Sequence, residues 1–169
     1  MGGWFAGRAW NEHLALNDFA RFDASDDKMT TTFVLSSAPA TFFVVYAHQT
    51  GTGGKRVLAG TNNWLVGPYS SQYTFYNDNF GVNALPTLTG RFVVETLRQQ
   101  TGLTEHWTNG ILRASFAATG VLPGTFGLGN IVGEPAGSAV AEVIIYNTVV
   151  AESDRKKVEA YLEQKYGLI

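Results

Sequence analysis

The chain contains no cysteine, so neither a disulfide framework nor a thiolate metal site holds it together. That absence leaves the compartment open, because 169 residues are enough to bury a self-sufficient core as one domain. Charge is scarce: Asp, Glu, Lys and Arg make up 15% of the residues, against about 25% in ordinary domains. A surface that sparse in charge suits a protein partly covered by neighbours. A basic surplus is also missing. The net charge is −2 and the one basic run, Arg155-Lys156-Lys157, reads as the solvated face of a helix. This argues against nucleic acid as the main partner, since phosphate contacts need clustered Lys and Arg. No run approaches the roughly 18 apolar residues that span a bilayer. Met1 to Arg8 lack the basic start and apolar block of a secretory signal. The expectation is a soluble chain that is not exported by the usual route.

What is present points to strands. Gly is frequent and aromatics reach 13%, a composition suited to short strands joined by tight turns. Phe42 to Ala47 is apolar at every position and of strand length, which predicts a central strand covered on both faces. Shorter strands are expected at 57–60, 63–66, 73–76 and 92–97, with a glycine-punctuated one at 126–130. Residues 103–114 read as a hairpin turning at Asn109-Gly110, where both residues tolerate the positive φ of a type I′ turn. Val140 to Tyr146 is a buried-strand run. It leads into one convincing helix, Asp154 to Tyr166, with Val158, Tyr161, Leu162 and Lys165 on a narrow stripe. Gly167 stands where a left-handed residue ends a helix, with Leu168 free to pack back on Leu162. Such a helix is expected over a sheet edge or a sandwich end. Residues 1–20 form an N-terminal arm and 21–169 the domain proper.

Three segments, in order, resemble a known family. Arg21-Phe22-Asp23-Ala24-Ser25-Asp26-Asp27 looks like an "RFDGxDD" opening, and Trp107 to Leu112 like a "YVNGxL" hairpin. Gly129 and Ala139 to Leu168 are similar to the closing strand and helix of the same family. These are marks of the concanavalin A-like lectin/glucanase superfamily, laminin-G type. The resemblance covers about residues 20–169. It implies an all-β jelly-roll sandwich of two antiparallel sheets, first and last strands adjacent, with a short C-terminal α-helix. Two departures matter. Ala151 stands where the family has a serine N-cap, so Ser153 is expected to cap and to start the helix later. Ala24 replaces a glycine, which puts the positive φ of the opening turn in question.

The superfamily hosts glycan-binding modules, hydrolases, adhesion modules and virion proteins, and fold does not choose among them. Hydrolases of this type carry closely spaced carboxylates on one strand, whereas Glu95 and Glu142 stand alone in theirs. No nucleophile elbow, phosphate loop or paired histidines appear, and no cofactor is expected. Asp23, Asp26 and Asp27 suit either a Ca²⁺ site or a self-bonded turn, and the turn is favoured. Trp64, Tyr69, Tyr73, Asn77, Asp78 and Asn79 combine rings and amides as sugar sites do, unless the rings simply fill the core. Trp4, Phe5 and Trp10 would be costly to leave in water and either complete the domain or dock on a neighbour. The resemblance implies a non-catalytic recognition or assembly module on the surface of a tailed-phage virion, as head decoration or tail protein. It would be oligomeric or particle-bound, with neighbouring proteins and cell-surface glycan as partners. A free-standing carbohydrate-binding lectin module is the alternative, and a degenerate glycoside hydrolase the third reading.

Overall fold

The structure is a computed structural model that describes residues 19–36, 38–50, 55–69, 72–77, 80–86, 90–117, 120–129 and 131–168. Twelve strands and one helix occur among them. The first sheet takes β1 (Ala20–Asp23), β12 (Gly137–Tyr146), β3 (Ala40–Thr50), β8 (Phe92–Gln100), β9 (Leu103–Thr108) and β10 (Ile111–Phe116) in that order. The second takes β2 (Lys28–Leu35), β11 (Gly124–Gly129), β4 (Leu58–Gly60), β5 (Trp64–Tyr69), β6 (Gln72–Asn77) and β7 (Phe80–Pro86). All these pairings are antiparallel, and β1 lies beside β12, so first and last strands are adjacent as expected.

β3 explains why one strand has no polar face. Phe42, Val44 and Tyr46 join Trp64, Val66, Phe75 and Phe126 in the core between the sheets. The alternate residues Phe43, Val45 and Ala47 face outward and pack with Val94, Leu162 and Tyr166. Both sets are buried because the helix α1 (Glu152–Tyr166) covers the outer face of the first sheet. The helix therefore lies over the central strands and not over an edge or an end. Its apolar footprint is too broad for an edge: Leu162 and Tyr166 need the flat faces of β3, β8 and β12.

Two other expectations about the helix change. It begins at Glu152, two residues earlier than expected, with Ala151 at the N-cap and no capping side chain. Ser153 lies inside the first turn, where Glu152 and Asp154 complement the helix dipole instead. The inward face carries Arg155, Glu159, Leu162 and Tyr166, while Tyr161 is 51% exposed. The stop is as expected. Gly167 adopts φ 62°, its N–H meets the Gln164 carbonyl, and Leu168 packs into the helix–sheet cluster.

The 109–110 turn has positive φ at both residues, matching type I′. Ala24 keeps φ at 71°, so the opening turn retains its geometry without glycine. β1, β2 and β7 are edge-region strands that the apolar pattern did not reveal, because edges need less burial.

Candidate functional site

The interior of the sandwich is not uniformly apolar. Toward β8 and β9 a polar seam runs between the sheets. Trp64 and Asn77 are register partners and are completely buried. The Trp64 Nε1–H donates to Gln99 Oε1 at 2.9 Å, and Asn77 Nδ2 donates to Thr104 Oγ1 at 2.9 Å. Gln99 Nε2 in turn donates to the Val121 carbonyl at 2.9 Å. Further along the same strands, His106 Nε2 and Glu95 Oε2 are 2.8 Å apart, and Thr108 Oγ1 donates to Glu95 Oε1 at 3.0 Å. Phe75 lies over this group, its ring centroid 6.4 Å from His106 and 5.5 Å from Trp64.

A carboxylate bonded to an imidazole is the raw material of acid–base chemistry. Here both side chains are fully buried, beyond reach of a dissolved ligand. Asn77 Oδ1 and His106 Nδ1 are buried without a hydrogen-bond partner. The seam unites Trp64, Asn77 and Glu95, which the sequence had singled out for different reasons. It also contains Gln99, Thr104 and Thr108, which sequence reasoning missed, and His106, which stands isolated from other histidines in sequence and so did not suggest a site. The signal for the β9 residues was the alternation Thr104, His106, Thr108, hidden because the other phase, Leu103, Glu105, Trp107, is the more apolar and so marks the wrong face as the inward one.

Glu142, weighed beside Glu95 as a catalytic acid, lies on the opposite side of the first sheet. Its Oε2 accepts from Lys165 Nζ at 2.8 Å and from the Tyr166 hydroxyl at 2.9 Å. Burial, aided by that hydrogen bond, pushes the Tyr166 phenol up to about 12.

The remaining candidates divide by location. Tyr69 is half-buried at the far end of the β5–β6 pair, opposite Gln72, whereas Asn77 pairs with Trp64 at the other end. Five residues of strand separate Gln72 from Asn77, roughly 17 Å, so the aromatic segment does not converge on one surface. Trp64 and Asn77 belong to the core. The side chain of Tyr73, all of Asp78 and Asn79, and the arm residues Trp4, Phe5 and Trp10 lie outside the described residues.

Asp23, Asp26 and Asp27 do come together, with one carboxylate oxygen from each within 4.8 Å of the others. The turn itself uses two of them: Asp23 Oδ1 accepts the Ser25 N–H at 2.8 Å, and Asp27 Oδ2 accepts the Asp23 N–H at 3.2 Å. Gly129 is required beneath it, since a Cβ there would strike the Asp27 carbonyl and the Phe22 ring. These bonds account for two of the acids without an ion. Thermal unfolding is accordingly expected at the same midpoint in millimolar Ca²⁺ and in chelator, while Asp27→Ala lowers stability by about 1 kcal/mol. A calcium-dependent rise in the midpoint that Asp27→Ala abolishes would instead make the turn a cation site.

No family model matches the chain, and no curated protein matches it. Solved structures do. A sialidase of Trypanosoma rangeli superposes with TM-score 0.67 at 11% identity, over 88% of this chain and 28% of the sialidase. Domain 4 of AbnA, a GH43 extracellular arabinanase of Geobacillus stearothermophilus in complex with arabinotriose, does so with TM-score 0.61 at 15% identity, over 83% of this chain and 81% of that one. A native heptameric SAP-like pentraxin of Limulus polyphemus gives TM-score 0.59 at 10% identity, over 83% and 80%. The chain thus spans little more than a quarter of the sialidase's length. At such identities the likeness is one of fold: a jelly-roll sandwich of two antiparallel sheets.

Proposed function

We propose that the chain is a non-catalytic recognition module that binds glycan. The observation that carries this reading is the placement of Glu95 and Glu142, the two strand carboxylates weighed as catalytic acids. Glu95 points between the sheets into a sealed pair with His106, and Glu142 points away from them, held by Lys165 and Tyr166 of the helix. A retaining or inverting hydrolase needs two carboxyls facing one another across a sugar, about 5–9.5 Å apart. Carboxylates on opposite faces of one sheet do not meet that requirement. A related fold holding arabinotriose in an arabinanase domain supports saccharide as the ligand class.

Tyr69 is the aromatic candidate nearest the loops of one sandwich end, where rigid strands present a ring for stacking on sugar C–H faces. A glycan array probed with labelled protein is expected to show saturable binding that Tyr69→Ala weakens at least about tenfold, a loss near 1.4 kcal/mol. Silence across the array, or release of reducing sugar that Glu95→Gln or Glu142→Gln abolishes, would sink the reading.

A second reading, a subunit on the surface of a larger particle such as a tailed-phage head or tail, draws on one observation. Both flanks of the sandwich carry an exposed apolar pair, Phe33–Val34 on β2 and Ile111–Leu112 on β10, each residue at least 50% exposed. The heptameric pentraxin is a related fold that assembles. Mass measurement of the isolated protein across a concentration series separates this reading from a monomeric lectin.

A further inference from the structure

We propose that Asn109-Gly110 is a self-modifying site: Asn109 deamidates spontaneously, and the hairpin governs the rate by holding the turn shut. Asparagine followed by glycine is the pair most open to this reaction, since glycine has no Cβ to hinder the approach of its own nitrogen. The Gly110 amide nitrogen bonds to Asn109 Cγ and gives up its proton, and the side-chain nitrogen leaves as ammonia. Water then opens the resulting five-membered imide. Cleavage of the Cγ–N bond yields aspartate on the original main chain. Cleavage between the Asn109 carbonyl carbon and the same nitrogen yields isoaspartate, whose main chain runs through Cβ and Cγ. Nothing is oxidised or reduced, and water is the one co-reactant.

Both residues are exposed, so water reaches them, and both hold positive φ, 48° at Asn109 and 71° at Gly110. The Asn109 N–H donates to the Val94 carbonyl at 2.8 Å, and Asn109 Oδ1 accepts the Val94 N–H at 2.8 Å. The side-chain amide thus stands in for a main-chain carbonyl and carries the β8–β9 ladder one residue past its last pair, Glu95 and Thr108. Two effects oppose one another here. A donor on Oδ1 polarises the carbonyl and favours attack at Cγ. Attack also needs the nitrogen close to Cγ and aligned with it, and the imide ring fixes ψ of Asn109 far from its value in a type I′ turn. Geometry wins, because polarisation cannot act before the atoms meet. The closed turn is unreactive, and modification proceeds through the fraction of molecules in which the hairpin has let go of Val94.

The two products differ in what they leave behind. Aspartate keeps an acceptor for the Val94 N–H. Isoaspartate puts one more carbon into a two-residue loop, which then cannot keep the paired positive φ of its turn type, and the Val94 N–H loses its partner. A Cβ built on Gly110 would lie 3.7 Å from Glu159 Oε2, so the new carboxylate of either product arises in a turn beside an acid of α1. Age therefore changes both charge and pairing at the β9–β10 edge, next to the exposed residues Ile111 and Leu112.

Peptide mapping by mass spectrometry tests this on the full chain incubated at mildly alkaline pH, through the mass gain at Asn109 as nitrogen is exchanged for oxygen. The chain unfolded in urea is expected to react at least about tenfold faster than the folded one. Leu112→Gly weakens β10 at an exposed position and should raise the folded rate about threefold, with far-UV circular dichroism unchanged. Isolated isoaspartate chains should exchange the Val94 amide hydrogen faster than the wild type, whereas Asn109→Asp keeps it protected. Equal rates in the folded and unfolded chain overturn the proposal. So does a folded rate that Leu112→Gly leaves unchanged, an Asn109 that stays intact even in urea, or isoaspartate chains that still protect Val94. Should Leu112→Gly misfold, Ile111→Gly, in the pair with Thr108 that closes the turn, gives the same decision.

Discussion

Replacing His106 with alanine is expected to destabilise the fold by about 3–5 kcal/mol, because it strands the Glu95 carboxylate in a sealed interior. Thr108 would remain as one hydrogen-bond donor to Glu95, too little to replace the lost partner at 2.8 Å. The asymmetry between breaking a buried pair and removing it gives the diagnostic. Glu95→Leu/His106→Leu takes away both polar groups at once and is expected to recover most of the loss, since a well-packed apolar substitute is often neutral. Urea unfolding of the wild type, the single and the double variant measures this directly. A single substitution costing under about 1 kcal/mol, or a double costing as much as the single, would mean that the pair does not hold a buried charge.

Arg155→Ala is expected to cost about 3 kcal/mol or more and to loosen the helix before the rest of the sandwich. The Arg155 guanidinium is 2% exposed, and its Cζ lies 4.3 Å from the Trp107 ring centroid, with Arg98 at 5.0 Å over the same ring. It donates to Glu152 at 2.6 and 3.0 Å and to both carboxylate oxygens of Glu159. Truncation leaves Glu159, itself nearly buried, without its cation. Lysine does not restore the site, because a single ammonium cannot span two carboxylates and lie flat on indole. Hydrogen exchange should show amides of 152–166 losing protection in Arg155→Ala while β3 and β8 keep theirs. Retained helix protection would refute the clamp.

The same clamp leaves an acid signature. The hydrogen bond from Arg155 lowers the Glu152 carboxyl from 4.5 to about 2. A carboxylate with a depressed folded-state value stabilises fully above its ordinary range and loses that contribution as pH falls through the folded value. The window therefore runs from about pH 4.5 down to about 2. The effect is small, because Glu152 is about half exposed and water screens the pair. Midpoints measured across that window should fall less steeply in Arg155→Ala than in the wild type.

The parts of this molecule that local chemistry controls could be read from the chain. Asn109-Gly110 turns as a type I′ hairpin because both residues accept positive φ, and Gly167 ends the helix for the same reason. The all-apolar run 42–47 meant burial on two faces, and β3 has a sheet on one side and a helix on the other. The helix start and its buried face were hidden. Ala151 offers no cap, and the inward residues Arg155 and Glu159 are charged, so no pattern of apolar residues pointed to them. Their burial depends on Trp107 and Arg98 arriving from elsewhere in the chain.

By itself the sequence determined the class of fold, two antiparallel layers closed by one helix, because periodicity, turn chemistry and capping act within a few residues. Only the tertiary structure decided where the polar groups went. A strand residue faces in or out according to register and to what covers each face, and both are set by partners far along the chain. That is why Trp64 and Asn77, plausible as surface sugar contacts in sequence, lie in the core. It is also why Glu95 and Glu142, alike on paper, point to opposite sides of one sheet.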